Sequence, residues 1–405
     1  MIRLRILAAL ASLFLLTCAR DERPAAAAAD PGVTDTEIVL GSWGPLSGPA
    51  ALWGSVLRGM ETYFDLINEE GGIHGRRIRF VYRDDGYEPP RTVAAVREMV
   101  QRDQVFAFAS GLGTAPGMAV RDFITSNRIP WVAPASGSSH WAWPRNRYIF
   151  SVYPLYADEA AAIVDHAVST GVKKIGIVYQ NDDYGKGGLV GAEMAAEKQG
   201  TQIVAALPTE MMDTDLSSHI VRLRQAGADG VLLWVAPRQA AILIGTAANL
   251  NFKPRWFAST TLSDIAMMHR VTQGLWSGVT FATLGNPWDT EDPTMQRYRQ
   301  AFEKKHPDIQ WGAFPSAGFL FAEPMVEGLR RAGRDLTREK LVEALETLDG
   351  FQGSGPSITF GPETRQGTRS VMLMRCLSAT EYELIAGWTT PTIDAEEAVR
   401  RLAAR

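Results

Sequence analysis

The sequence predicts an α/β protein made of two doubly wound, parallel-sheet lobes. Three observations lead there. Short β-rich runs alternate with longer amphipathic ones, the pattern of parallel strands wrapped by helices. The alternation completes one set, restarts after Arg147-Tyr148-Ile149-Phe150, and completes another. The chain has 405 residues, more than one hydrophobic core organises comfortably, so two domains are expected.

The first residues are read as processing signal rather than fold. Arg3 and Arg5 precede an uncharged apolar run over 6–16, the layout of a secretory signal and too short to span a bilayer. Export is expected. Leu15-Leu16-Thr17-Cys18 puts a cysteine where a lipoprotein signal carries its acylation site, although Thr17 departs from the usual small residue there. Cleavage within Ala25 to Ala29 is the rival reading. In either case residues 1–29 read as signal peptide and Ala-rich tether.

In the first lobe, strands are expected at 37–43, 77–83, 105–110 and 131–133, with helices at 51–68, 92–101 and 118–126. The second set has helices at 157–169, 189–199, 216–226 and 239–249, and strands at 174–179, 202–206, 230–235 and 255–258. Late helices near 293–305, 317–332 and 338–348, then strands near 369–377 and 382–387, outnumber what either lobe should append alone. The chain is therefore expected to cross back. Gly285-Asn286-Pro287 and the stretch from Gly353 to Gly361 punctuate the returns. This divides the chain into lobe 1, residues 30–153 with 284–367, and lobe 2, residues 154–283 with 368–405.

Composition excludes several functions. The chain is 46% hydrophobic and 21% charged with a net charge of -4, which gives no electrostatic case for nucleic acid or anionic lipid. No stretch after the signal is apolar enough for a membrane helix. Besides Cys18 the only cysteine is Cys376, which sits beside the apolar run Val371-Met372-Leu373-Met374 and reads as a buried structural thiol. No intramolecular disulfide is expected once Cys18 is acylated or removed. The six histidines are scattered without metal-ligand spacing, so neither a metal nor a cofactor is expected. Gly185-Lys186-Gly187-Gly188-Leu189-Val190-Gly191 looks like a dinucleotide loop. Four polar residues separate it from the preceding strand, however, and the next strand ends without an acid for a ribose. No G-x-S-x-G elbow or comparable Ser/His/Asp order supports catalysis. Asp84-Asp85 reads as a solvated strand end with a capping role.

In open α/β sheets ligands gather at the carboxyl ends of strands, where loops and helix N-termini offer unpaired N–H groups. After the first strand comes Gly44-Pro45-Leu46-Ser47-Gly48-Pro49, with Trp53-Gly54 opening the helix. After the third comes Ser110-Gly111-Leu112-Gly113-Thr114-Ala115-Pro116, where Thr114 is placed to cap the helix and offer its hydroxyl. After the fourth, Ala135-Ser136-Gly137-Ser138-Ser139 presents a second set of donors. Together these loops suit a small carboxylate, and the same residues also read as plain turns and N-caps. Of the 11 tryptophans, Trp131 and Trp256 lie within strands and read as packing. Trp43 and Trp53 bracket the first cleft loop and read as pocket walls.

At these residues the chain resembles the leucine/isoleucine/valine-binding proteins of branched-chain amino acid importers. The series that carries the likeness is Gly44-Pro45-Leu46-Ser47-Gly48 with Trp53-Gly54, Ile67-Asn68-Glu69-Glu70-Gly71-Gly72-Ile73-His74-Gly75, Asp84-Asp85, Pro134-Ala135-Ser136 and Asp183-Tyr184-Gly185. It spans the whole mature chain and is strongest before about Val190. The resemblance implies a type I periplasmic binding fold, its lobes joined by a three-stranded hinge, with the ligand in the cleft. It implies an extracytoplasmic, non-enzymatic solute-binding protein of an ABC importer, in the periplasm or on the outer face of the cytoplasmic membrane, with a membrane permease as partner. A ligand-sensing receptor subunit using the same cleft is the alternative, and a degenerate hydrolase is a third reading that the missing nucleophile motif disfavours.

By position, Thr114 resembles the residue that holds the ligand carboxylate and Ala135 a backbone contact. Gly137 falls at the place of a second hydroxyl residue, which Ser136 or Ser138 must then supply. Trp53 and Tyr184 match aromatic contacts from the two lobes. Tyr156 stands where amino-acid binders often have an acid, and Thr260 near their glutamate for the ligand ammonium. Unless Glu210, Asp213 or Asp264 reaches the cleft, aromatic or branched aliphatic acids are expected to bind better than α-amino acids.

Overall fold

The computed structural model describes residues 30–391 and 393–405. The expected signal, tether and acylation site at Cys18 lie outside the described residues.

The first sheet has five parallel strands in the order β2-β1-β3-β4-β5: β1 Glu37–Gly44, β2 Arg77–Asp84, β3 Ala107–Ala109, β4 Trp131–Val132 and β5 Ile149–Phe150. Helices α1 (Ser55–Glu69), α2 (Pro89–Gln101) and α3 (Thr114–Ser126) connect them. The chain then leaves this sheet for α4 (Tyr156–Ser169), β6 (Lys174–Gln180), α5 (Asp183–Gln199), β7 (Gln202–Thr209), α6 (Ser217–Gln225), β8 (Gly230–Trp234), α7 (Pro237–Asn249), β9 (Arg255–Ala258), α8 (Ile265–Val271) and β10 (Thr280–Thr283). It returns as α9 (Pro293–Lys305), α10 (Ala313–Ala332) and α11 (Arg338–Leu345), with α10 packing on α1, β3 and β4. It crosses once more to add β11 (Val371–Cys376), β12 (Tyr382–Thr389) and α12 (Ala395–Ala403). The second sheet has seven strands in the order β12-β11-β10-β9-β8-β6-β7. Pairing there is parallel from β7 to β10, and antiparallel for β10 with β11 and β11 with β12.

Three segments thus run between the sheets. Two lie side by side, for Ser151 N–H donates to Arg365 O at 2.9 Å and Gly367 N–H to Ser151 O at 2.7 Å. The third passes Asn286, whose N–H donates to Ser354 O at 2.8 Å.

Several elements differ from expectation, among them β5, α8 and α12, where no strand or helix is expected. The helix expected at 118–126 begins at Thr114. Its N-cap is Gly113 at φ 100°, left-handed backbone that glycine adopts without strain, so Thr114 does not cap it. Strand β10 carries no marked period and was not anticipated. The helix expected at 189–199 begins at Asp183, capped by Asp182, which accepts from Gly185 N at 3.2 Å. The glycine-rich run therefore lies inside α5. A Cβ on Gly188 would sit 2.3 Å from the Trp234 ring, and one on Gly191 2.2 Å from Ala157 O. The glycines let α5 press against α4 and β8. Among the described residues no helix is long and apolar enough to cross a membrane.

Candidate functional site

The carboxyl ends of both sheets face each other across a cleft. Asp84, at the end of β2, builds its first loop: Oδ1 accepts from Leu46 N at 2.9 Å and Ser47 N at 3.2 Å, and Oδ2 accepts from Ser47 Oγ at 2.5 Å. Ser47 is thereby spent on the turn and does not line the cleft cavity. The loop delivers the short helical turn Ala51–Gly54, and with it Trp53.

A cavity of about 50 Å³ lies between the lobes, walled by Trp53, Val56, Tyr87, Leu112, Gly113, Ala135, Phe314 and Phe321 on one side, Tyr156, Tyr184 and Thr261 on the other, and Tyr153 and Leu284 at the crossings. Seven of these thirteen residues are aromatic and none is charged. Trp53 meets Tyr87 tilted at 5.5 Å, Tyr156 meets Tyr153 and Tyr184 edge-on at 5.6 and 5.1 Å, and Tyr153 stacks on Phe321 at 6.1 Å. Such packing suits rings whose edges are positive and faces negative.

Hydroxyls supply the polarity. Thr114 Oγ1 and Ser136 Oγ lie 2.8 Å apart, and Tyr156 OH reaches them at 3.4 and 3.3 Å. Tyr184 OH bonds Ser259 Oγ at 2.9 Å and Thr261 Oγ1 at 2.6 Å. Burial holds the Tyr156 phenol up at about 12, so it stays a neutral donor and acceptor. The lobes also touch directly, since Trp53 Nε1 donates to Thr261 O at 2.9 Å and His140 Nε2 lies 3.3 Å from Asp183 Oδ2.

The periplasmic binding protein family model matches residues 37–381. The chain belongs to that family.

Relatives of this binding protein include the Leu/Ile/Val-binding protein homolog 3 of Brucella melitensis, 28% identical over 198 residues, which are 48% of this chain and 53% of that one. The chain thus spans about half the length of that relative. Homolog 8 of Brucella abortus is 22% identical over 83% of this chain and 87% of its own. Among solved structures, a fatty acid ABC transporter substrate-binding protein from Thermomonospora curvata superposes at a TM-score of 0.82 with 26% identity, over 90% of this chain and 95% of that one. A branched-chain amino acid ABC transporter protein from Thermus thermophilus with bound valine superposes at 0.81 with 21% identity, over 89% and 98%. Family and neighbours are substrate-binding proteins, and the shared architecture is the type I periplasmic binding fold.

Within this binding protein the expected site residues sort by position. Trp53, Ala135, Tyr156 and Tyr184 line the cavity, and Thr114 and Ser136 stand behind it within reach of Tyr156. Gly137 offers its carbonyl to Tyr156 N at 2.8 Å, and a Cβ there would sit 2.3 Å from Pro154 O. Ser136, not Ser138, carries the hydroxyl on the cleft side, because Ser138 Oγ caps the turn Ser139–Trp141 by accepting from His140 N at 3.4 Å.

Two expectations need correction. Trp43 is no pocket wall: it is fully buried behind the sheet against Phe108 and Trp131, at 5.6 and 5.2 Å. Strand alternation turns it to the core face. Thr260 does not line the cavity either. Its neighbour Thr261 does, while Thr260 points back to Glu159 and Tyr153. Of the acids considered for the cleft, Glu210 meets Asn181 Nδ2 at 2.9 Å and Asp213 accepts from Thr209 Oγ1 at 2.9 Å. Asp264 caps α8 through Met267 N at 2.9 Å. None of the three lines the cavity.

Tyr87, Tyr153, Phe314, Phe321 and the buried acid Glu159 were not anticipated. Tyr153 had a signal, its closeness in sequence to Tyr156. Phe314 and Phe321 belong to α10 and reach the cleft only because the chain crosses back.

Proposed function

We propose that this protein is the extracytoplasmic substrate-binding component of an ABC importer. It captures a small carboxylate-bearing solute with an aromatic or branched aliphatic body and presents the closed form to the membrane permease. The lobes are taken as residues 30–153 with 284–367 and residues 154–283 with 368–405, and the secretory signal read in the sequence over 1–29 supports a periplasmic location, with anchoring to the membrane face if Cys18 is acylated.

The observation that carries the ligand class is the cavity wall: aromatic side chains from both lobes and no charged group, with the Thr114 and Ser136 hydroxyls behind it within reach of Tyr156. A ligand that touches both lobes favours the closed state, so closure is a population shift. An ammonium taken from water into such a wall without a carboxylate costs several kcal/mol. An apolar body there gains about 25 cal/mol for each Å² buried, and a carboxylate meets the hydroxyls of Thr114, Ser136 and Tyr156. The name of the Thermomonospora curvata relative, a fatty acid binding protein, agrees with an acid rather than an amino acid.

Calorimetry with matched pairs tests this: leucine against its 2-keto acid, and phenylalanine against phenylacetate. The acid of each pair should bind tighter. Tighter binding of both amino members would overturn the ligand class.

A further inference from the structure

Glu159 lies in the first turn of α4 and is fully buried. Among the described residues its carboxyl accepts from Thr260 alone, Oε1 from the backbone N–H at 2.6 Å and Oε2 from Oγ1 at 2.9 Å. Burial pushes the carboxyl up to about 8. An acid buried without a cation is unfavourable in isolation, and this one spends both oxygens on one residue of the loop that follows β9. Thr260 Oγ1 also meets Tyr153 OH, from the first crossing between the lobes. The next residue is the lobe 2 side of the closed cleft: Thr261 O takes the Trp53 indole N–H from lobe 1, and Thr261 Oγ1 meets Tyr184 OH. A continuous path thus runs from Glu159 through Thr260 and Thr261 to Trp53.

We propose that Glu159 is a positioning residue for lobe closure, fixing the Thr260–Leu262 turn so that the Thr261 carbonyl receives the Trp53 indole and joins the lobes directly. This rests on the hinge-closing reading above. It adds to that reading a closed population supported by protein–protein contact whatever the solute. The Thr261 acceptor is a main-chain atom, so its placement depends on what holds the loop. Glu159 is the group that holds it from inside lobe 2, with Tyr153 buttressing from the crossing.

The test is a pulsed electron-spin distance measurement on the full-length, ligand-free protein, with labels on Asp122→Cys in lobe 1 and Arg238→Cys in lobe 2. Wild type should show a short-distance population. Trp53→Phe, which keeps the ring but removes the donor, and Glu159→Ala should each lower the closed-to-open ratio roughly three- to tenfold, the span of one net hydrogen bond. The double variant should fall no further than either single one, since both break the same path. Glu159→Gln, which keeps an acceptor for Thr260 N–H, should retain most of the closed population. If Glu159→Ala does not fold, Glu159→Asp, too short to reach both Thr260 groups, serves in its place. A merely structural role would lower the melting temperature and leave the ratio unchanged. Absence of a short-distance population in wild type, or additive effects of the two variants, overturns the proposal. Phenylacetate added to wild type separates the two readings: failure to shift the distances would count against solute-driven closure, while the comparison among variants stands unaffected.

Discussion

Thr114, the first residue of α3, and Ser136, on the loop after β4, bring their hydroxyls to 2.8 Å, and Tyr156 from the second lobe reaches both. The trio is a neutral acceptor-and-donor set that a carboxylate can enter by turning three hydrogens toward itself. Removing Thr114 Oγ1 leaves one fewer donor inside a closed cleft, a loss of roughly 1–3 kcal/mol. Thr114→Ala should weaken binding of the preferred acid about tenfold or more, and Thr114→Ser should restore most of it. A titration curve identical to wild type would remove Thr114 from the site.

Stability should fall as pH rises from about 5 to 8. Burial raises Glu159 to about 8 and Glu323 to about 7. Each folded-state value lies above the ordinary carboxylate range, so the folded protein holds more protons in this window than the unfolded chain, and the slope with pH is negative. His166 and His306, lowered by burial, contribute the opposite sign around neutrality. Urea midpoints for wild type and Glu159→Gln at several pH values isolate the carboxyl, because the amide cannot titrate. The variant should show the shallower decline, and parallel curves would show that Glu159 does not titrate here.

Trp43→Phe should act on stability rather than binding. Trp43 is fully buried and its Nε1 has no hydrogen-bond partner among the described residues, so the substitution removes volume from the core and should cost roughly 1–3 kcal/mol. The affinity for the best acid should stay within about twofold. A large loss of affinity at unchanged stability would restore Trp43 to the pocket.

Gly188→Ala should destabilise by roughly 1–3 kcal/mol, since its methyl would sit 2.3 Å from the Trp234 ring and must push α5 off the sheet. Chemical denaturation measures it. Full stability in the variant would mean that the glycine run is not there for close packing.

If Cys18 carries a lipid, wild-type protein should fractionate with membranes, and Cys18→Ser should release it or block its processing. Soluble wild-type protein beginning near Asp30 would settle for ordinary cleavage instead.

Much of this protein was legible in its residues taken in order. The alternation of short β-rich and longer amphipathic runs, the restart after Phe150 and the surplus of late elements established two wound lobes and a chain that crosses back. The loops at Thr114 and Ser136 and the rings of Trp53, Tyr156 and Tyr184 were legible too, because the carboxyl ends of parallel strands are where loops must gather. Those features are local: each strand or helix writes its own burial pattern. The tertiary structure alone decided which way the side chains at those ends point and what meets them from afar. Strand pleat sent Trp43 to the core, and a one-residue difference gave Thr261 rather than Thr260 to the cavity. The glycines of α5 follow a helix-packing need that their spacing shares with a phosphate loop. Phe314 and Phe321 arrive from a distant helix, and no motif or spacing in the sequence singles out Glu159. Only the packing of α4 beneath the loop after β9 takes that carboxyl out of water and leaves Thr260 as its partner.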